Sequence, residues 1–401
     1  MEINLFIYLA AIFLAAYGTK GLTSWMRIPE VTGYVLLGVL FGTVGFLNEG
    51  VLEHLEFLTS IALGIISFLI GIELRWDVIK KLGRSIGFIV FFEVVFTFAV
   101  VFLALFYGLG ADLNMSLLLG AVASATAPAA TVAVIRQYKA RGPLTSTILA
   151  VVGLDDALAL IVYVFVQAFV SASLLGQRLQ PLQTLGTAAL SVVIALGIGA
   201  LGALVFVVML RRIRNNDWIL MFLAAAIFGL LGLTQILGVS ELLAIMMFGA
   251  VVVNGSPILA KKGEGLMEAY SPLFLALFFI LGGAHLDIRL VGSLGILGLA
   301  YFFARTLGKV SGATLGAYLG RAQKSVRNRI GFSLLPQVGV ALALALATQR
   351  EFTQTRYGQA GIDLAVTVIN ILLMTTVLTE IIGPLLTRRA LKKAGEVDQA
   401  P

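Results

Sequence analysis

The chain has 401 residues, 59% of them hydrophobic and 12% charged, with a mean hydropathy of +1.01. A soluble protein of this length needs far more charge on its surface, and the apolar runs are continuous rather than alternating, so composition excludes both a soluble globule and a membrane barrel and leaves an all-α polytopic membrane protein. With no cysteine there is no disulfide, haem or iron–sulfur framework; two histidines, His54 and His285, argue against a His-rich metal site; and the net charge of +7 sits in short loops, as topology requires, rather than on a nucleic-acid-binding face.

The first apolar run, about Ile3 to Gly18, has no basic leader and no small-residue cleavage site, and is read as a retained helix. Twelve more follow, giving about thirteen transmembrane segments at about 3–20, 28–47, 55–73, 85–109, 114–136, 145–171, 182–211, 217–237, 239–254, 270–286, 290–320, 328–348 and 363–388. Basic residues occupy alternate loops: Arg75, Lys80, Lys81 and Arg84; Arg136, Lys139 and Arg141; Arg211, Arg212 and Arg214; Lys261 and Lys262; Arg321, Lys324, Arg327 and Arg329; and Arg388, Arg389, Lys392 and Lys393. The other loops carry acids (Glu49, Glu53, Glu56, Asp112) or the polar stretch 172–181, with Arg350 and Arg356 as a mild exception. The positive-inside rule places the N-terminus outside and the C-terminus in the cytoplasm of a cell inner or plasma membrane, with 389–401 as a short cytoplasmic tail.

The sequence also repeats at an offset of 211 residues. Ile28-Pro-Glu-Val-Thr-Gly-Tyr-Val-Leu-Leu-Gly38 resembles Val239-Ser-Glu-Leu-Leu-Ala-Ile-Met-Met-Phe-Gly249; Phe68-Leu-Ile-Gly71 falls on Phe279-Ile-Leu-Gly282; and Val122–Ala130 falls on Ser333–Ala341. The partners lie seven segments apart, an odd number, so the copies cross in opposite directions, as in secondary transporters. The expected organisation is a single transmembrane unit, with a first inverted repeat over 1–171, a linker helix over 182–211 and a second repeat over 217–388.

The third matched pair contains helix breakers: Pro128 between Thr126 and Thr131, and Pro336 with Gly339. Proline removes a backbone donor and clashes with the preceding turn. Broken helices at matching positions point to a binding site between them, because their free backbone ends can offset charge. Two adjacent carboxylates, Asp155 and Asp156, lie in the middle of the apolar run 145–171. Ionised groups at membrane depth cost about 2.5–3.5 kcal/mol each on insertion scales, so the pair calls for a use or a partner. Their side chains diverge by about 100°. Carboxylates and carbonyls suit a hard monovalent cation, and burial with mutual repulsion makes protons compete for the same oxygens. Lys309, deep in the segment 290–320, is a natural counter-ion, and Arg305 is one turn away on the same face. Glu30 and Glu241 begin helices, where an acid stabilises the first turn. Glu73 lies at a segment end, where an interfacial ion pair is the default, and Glu241 and Glu73 are kept as outer members of the site. Glu93 lies deeper and has no role from sequence.

These residues resemble the monovalent cation/proton antiporter superfamily, in its bacterial sodium/proton antiporter-like branch. The resemblance covers nearly the whole chain, and rests on Asp155-Asp156, the broken Ser124-Ala-Thr-Ala-Pro-Ala-Ala130 segment, Gly308-Lys309 and Leu335-Pro-Gln-Val-Gly-Val340. It implies thirteen helices with two crossed discontinuous helices, a core domain and a dimerisation domain, a homodimer, and an elevator-like movement. It further implies that the aspartates form the ion site, that Lys309 partners Asp156, that Thr126 lies near the crossing with Ser124, Pro128, Pro336, Gln337 and Gly339, and that exchange is electrogenic. The chain departs from many relatives in reading Pro336-Gln-Val-Gly339 where they carry Pro-Arg-Gly-Glu, and in having Ala127 where some carry an aspartate. The function expected is antiport of Na⁺ or Li⁺ against H⁺ across the bilayer, without catalytic residues, cofactor or bound metal beyond the transported cation. The alternatives are a K⁺/H⁺ antiporter or K⁺ efflux system on the same fold, an organic-anion symporter, a channel, and an intramembrane aspartyl protease. The protease needs two aspartates facing each other from separate helices, which adjacent residues do not provide.

Overall fold

The computed structural model describes residues 4–26, 29–77, 80, 83–176, 181–210 and 215–397. Ile3, Ile28, Lys81, Arg211, Arg212, Arg214, residues 177–180 and 398–401, and the side chain of Pro128, lie outside the described residues. Every regular element among the described residues is helical. The long helices are α1 (Leu5–Met26), α2 (Glu30–Thr43), α3 (Glu49–Glu73), α4 (Arg84–Leu103, closed by a π-helical turn Ala104–Gly108), α5 (Leu113–Ala123), α6 (Pro128–Gln137), α7 (Pro143–Leu174), α8 (Pro181–Leu210), α9 (Asn216–Leu237), α10 (Glu241–Gly255), α11 (Pro257–Ala284), α12 (Val291–Leu319), α13 (Gly339–Phe352) and α14 (Gly358–Ala394). A single turn (Lys324–Arg327) and a 3₁₀ turn (Ile330–Ser333) lie between α12 and α13.

Among the described residues, nine helical stretches are long and apolar enough to cross a bilayer, and α2, α5 and α10 are shorter apolar helices. Large apolar side chains stand on the outer surface, including Phe6, Tyr17 and Trp25 of α1 and Leu190, Val193 and Leu201 of α8. In water such a surface would aggregate; in lipid it is the solvated face. The chain is a multi-pass membrane protein. Two helices outrun the hydropathy reading. α11 begins at Pro257 rather than near 270, and α14 continues through Arg388, Arg389, Lys392 and Lys393 to Ala394, so most of the basic run expected as tail is helical. A helix satisfies its own backbone, so it continues through charged residues beyond the apolar run that hydropathy detects.

The helices form two compact units. One comprises Met1–Trp25, Gly33–Asp77 and Leu185–Ala284; the other comprises Met26–Thr32, Val78–Thr184 and His285–Pro401. In the first unit, helices approach to backbone contact at glycines: a Cβ on Gly38 of α2 would lie 2.1 Å from the Ile280 carbonyl of α11, and one on Gly249 of α10 would lie 2.6 Å from the Phe68 carbonyl of α3. A core of Phe68, Phe206, Phe248 and aliphatic side chains fills this unit.

In the second unit, α12 runs antiparallel to α4 along Gly308, Gly312, Gly316 and Gly320. A Cβ at these positions would fall 2.7 Å from Thr97 Cα, 2.5 Å from Phe92 O, 2.4 Å from Phe88 O and 2.7 Å from Ser85 Cα. Each glycine costs a helix about 1 kcal/mol of propensity, offset here by close backbone packing. α7 begins after Gly142, which has no side chain to cap it. The cap comes from beyond the end of α14: Glu396 accepts from Leu144 N at 2.7 Å, Thr145 N at 2.7 Å and Thr145 Oγ1 at 2.8 Å. Gly142 permits this approach, because a Cβ there would lie 2.4 Å from Glu396 Cδ.

Candidate ion-binding site

Both breaks are written in the local sequence. α5 ends at Ala123, and Ser124–Ala127 leave the helical path. Pro128 is the first residue of α6 rather than an interruption within it. A proline at that position needs no backbone donor and turns the preceding residue extended; Ala127 has φ −87° and ψ 113°. In the counterpart, Leu334–Val338 lie between the 3₁₀ turn and α13, which starts at Gly339. The breaks cross in direct contact: Ala127 N donates to Pro336 O at 2.9 Å, and Thr131 Oγ1 donates to Ser333 O at 3.0 Å. Pro336 also packs on α14, where a Cβ at Gly383 would lie 2.7 Å from its ring.

The aspartates of α7 meet the first break. Asp155 and Asp156 are fully buried. Thr126 serves both: its hydroxyl donates to Asp155 Oδ2, and its backbone N–H, released by the break, donates to Asp156 Oδ1 at 3.3 Å. Asp155 Oδ1 has no hydrogen-bond partner among the described residues. Lys309, also fully buried, donates to Glu93, to Ser124 O at 2.7 Å and to Thr126 Oγ1 at 2.7 Å, and lies 3.8 Å from Asp155 Oδ2. The resemblance implies Asp156 as its partner; the described contacts of the ammonium include Glu93 and Asp155, because α4 and α12 are held together by the glycine stripe and bring Glu93 alongside.

Arg305 secures the carbonyl ends exposed by the breaks. Its Nε donates to Ala123 O at 3.0 Å, Nη2 to Ala125 O at 3.0 Å and Nη1 to Leu335 O at 2.6 Å. Gln337 adds a further tie, donating to Val122 O at 3.1 Å and to Tyr301 Oη at 2.8 Å. Ser124, Thr126, Pro336, Gln337, Arg305, Lys309 and both aspartates thus converge, while Pro128 and Gly339 begin α6 and α13. The charges beside the second break, where the resemblance leads one to look in the Pro336–Gly339 motif itself, come from neighbouring helices: Arg305 of α12 and the buried Glu380 of α14, whose carboxylate faces the Gln337 main chain. Glu73 and Glu241 belong to the other unit. Glu73 is exposed at the end of α3, and Glu241 sits in the first turn of α10, whose cap is Ser240, accepting from Leu243 N at 3.3 Å.

Sequence reasoning passed over Glu93, Glu380 and Tyr301. For Glu93 and Glu380 a signal existed, a lone acid in an apolar helix; for Glu93 the glycines at four-residue intervals on another helix also mark the contact. Chemically, the cluster holds more buried carboxylates (Glu93, Asp155, Asp156, and Glu380 beside the second break) than buried cations (Lys309, Arg305). Added positive charge, as monovalent ions or protons, brings such a site towards balance.

A family model described as "Sodium/hydrogen exchanger, transmembrane" matches residues 9–393. Two structures of the sodium proton antiporter MjNhaP1 from Methanocaldococcus jannaschii share the fold. One, at pH 8, has a TM-score of 0.82 at 19% identity, covering 97% of this chain and 98% of that one. The other, from electron microscopy, has a TM-score of 0.77 at 18% identity, covering 98% of each. A comparison with curated proteins finds no match. Family and fold are those of a transporter rather than an enzyme, and the match spans all the helices that build the site: the chain belongs to the sodium/hydrogen exchanger family.

Proposed function

We propose that this protein exchanges Na⁺ (or Li⁺) for H⁺ across the membrane, electrogenically and by alternating access, with Asp155 and Asp156 as the exchanging groups. The observation that carries the reading is the buried aspartate pair beneath the crossing of two broken helices, in a cluster where carboxylates outnumber cations. Protons and a cation then compete for the same oxygens, and one cannot be bound until the other leaves. Lys309 and Arg305 offset the remaining charge, Thr126 aligns the aspartates, and the breaks supply a backbone able to shift around them. The alternation of basic loops supports an N-terminus outside and a C-terminus inside a cell inner or plasma membrane. The resemblance supports a homodimer.

The test is reconstitution in proteoliposomes carrying an inside-acid gradient and a trapped pH dye. External Na⁺ or Li⁺ is expected to collapse the gradient in the wild type and not in Asp156→Asn. Collapse with K⁺ alone would reassign the cation, and no response to any cation across the pH range would remove the exchange mechanism.

A further inference from the structure

The ammonium of Lys309 has three donors. All three are taken at hydrogen-bond distance by groups other than the aspartates: Glu93, the Ser124 carbonyl and the Thr126 hydroxyl. Asp155 Oδ2, at 3.8 Å, receives the charge but no hydrogen bond. Its hydroxyl partner is Thr126, which accepts from Lys309 and donates to Asp155, so the lysine reaches the aspartate through an intermediary. Glu93 is held in turn: Thr97 Oγ1 lies 3.4 Å from Glu93 Oε1, and the backbone of Glu93 is pressed against Gly312 of α12. Both members of the Lys309–Glu93 pair are fully buried, and separating such a pair leaves an uncompensated charge in the interior.

We propose that Glu93 locks Lys309 in place as a fixed cation, keeping its hydrogen bonds from Asp155 so that the transported cation does not have to displace a hydrogen-bonded ammonium. This rests on the antiport reading. In a site where a lysine pairs directly with a carboxylate, the incoming ion must compete with an ammonium. Here that competitor is tied down by an acid on a different helix, and the exchanged protons are left to Asp155 and Asp156. Glu93 is therefore a positioning residue that sets cation affinity through Lys309. The charged groups facing Lys309 include Glu93 from α4 and Asp155 from α7, with Asp156 beside Asp155 and Arg305 one turn back on its own helix.

The test compares wild type with Glu93→Gln and Glu93→Asp. Two readouts are taken at fixed pH: the Na⁺ concentration giving half-maximal exchange, and the Na⁺ concentration giving half of the Na⁺-induced rise in melting temperature of the purified protein. With Glu93→Gln the ammonium falls back on Asp155, and the half-saturating Na⁺ concentration is expected to rise about tenfold in both, as a charge at about 4 Å competes strongly in a buried site. Glu93→Asp, which restores the charge on a shorter arm, is expected to fall between the two. Half-saturation within twofold of wild type in Glu93→Gln, with an unaltered pH profile, overturns the proposal. Should Glu93→Gln fail to fold, Glu93→Asp decides: a raised half-saturation supports the lock and an unchanged one overturns it. If the wild type itself shows neither exchange nor cation-induced stabilisation, the antiport reading fails and the lock fails with it. Normal wild-type exchange with an unaffected Glu93→Gln fails the lock alone.

Discussion

At the scale of single residues, Arg305 does what no other side chain could do at its position. Three carbonyls from two different breaks need donors at once, and a planar guanidinium presents several in a fixed fork, whereas a lysine is a point charge on a flexible stem. His285, which follows α11, has a different task. Its Nδ1 accepts from Gln349 Nε2 at 3.1 Å, and burial together with the nearby Arg350 charge pushes its pKa from 6.5 down to about 4. The unfolded chain therefore takes up a proton at His285 between those values while the folded protein does not. The contribution of this residue to stability is complete above about pH 6.5 and is lost as pH falls towards 4. Melting temperatures measured at pH 7 and pH 4.5 are expected to drop less in His285→Gln than in wild type; equal drops would show that His285 does not titrate on unfolding.

At the scale of elements, the α4–α12 contact governs the site without touching the ion. Gly312→Val would place a branched side chain where even a Cβ lies 2.5 Å from the Phe92 carbonyl and 2.9 Å from Glu93 Cα. The helices would have to separate, parting Lys309 from Glu93. Overpacking of this kind costs about 1–3 kcal/mol, and the expected result is a lower melting temperature together with weaker Na⁺-dependent stabilisation. A Gly312→Val protein with wild-type values of both would show that the contact is slack. The elements were largely legible in the sequence. All thirteen apolar segments correspond to helices or to the broken pair, because in a bilayer hydropathy alone decides where helices lie. The prolines and the charges of α7 and α12 stood out against an apolar background for the same reason. What stayed hidden was the partner of Lys309, which depends on the register of one helix against another, and the polar halves of α11 and α14, which carry no hydropathy signal.

At the scale of the whole molecule, the helix bounds themselves follow the internal offset of 211 residues. It carries Leu5–Met26 onto Asn216–Leu237 end for end, and the first residue of α2, Glu30, onto the first of α10, Glu241. The compact units do not follow the chain's two halves: each takes helices from both sides of α8. The site is accordingly assembled from segments far apart in sequence, and the cap on α7 is the most remote piece. Glu396→Ala would leave the Leu144 and Thr145 amides unanswered, at a cost of about 1–2 kcal/mol, the usual range for losing a helix cap. A fall in melting temperature, reproduced by Gly142→Ala through steric exclusion of Glu396, is the expected outcome; an unchanged value in both variants would mean that the amides find water instead.

The separation of Asp155 and Asp156 from Lys309 and Arg305 along the chain also orders events at the ribosome. The acids of α7 are synthesised, and their helix is presented to the membrane, before either cation has been made. During that interval nothing basic from α12 can balance them, and Thr126 and Glu93, already synthesised, bring no positive charge. The apolar flanks of α7 are left to carry the nascent helix towards the lipid against the cost of its two acids. The acids and the cations of the ion site thus meet only once the second half of the chain has been made.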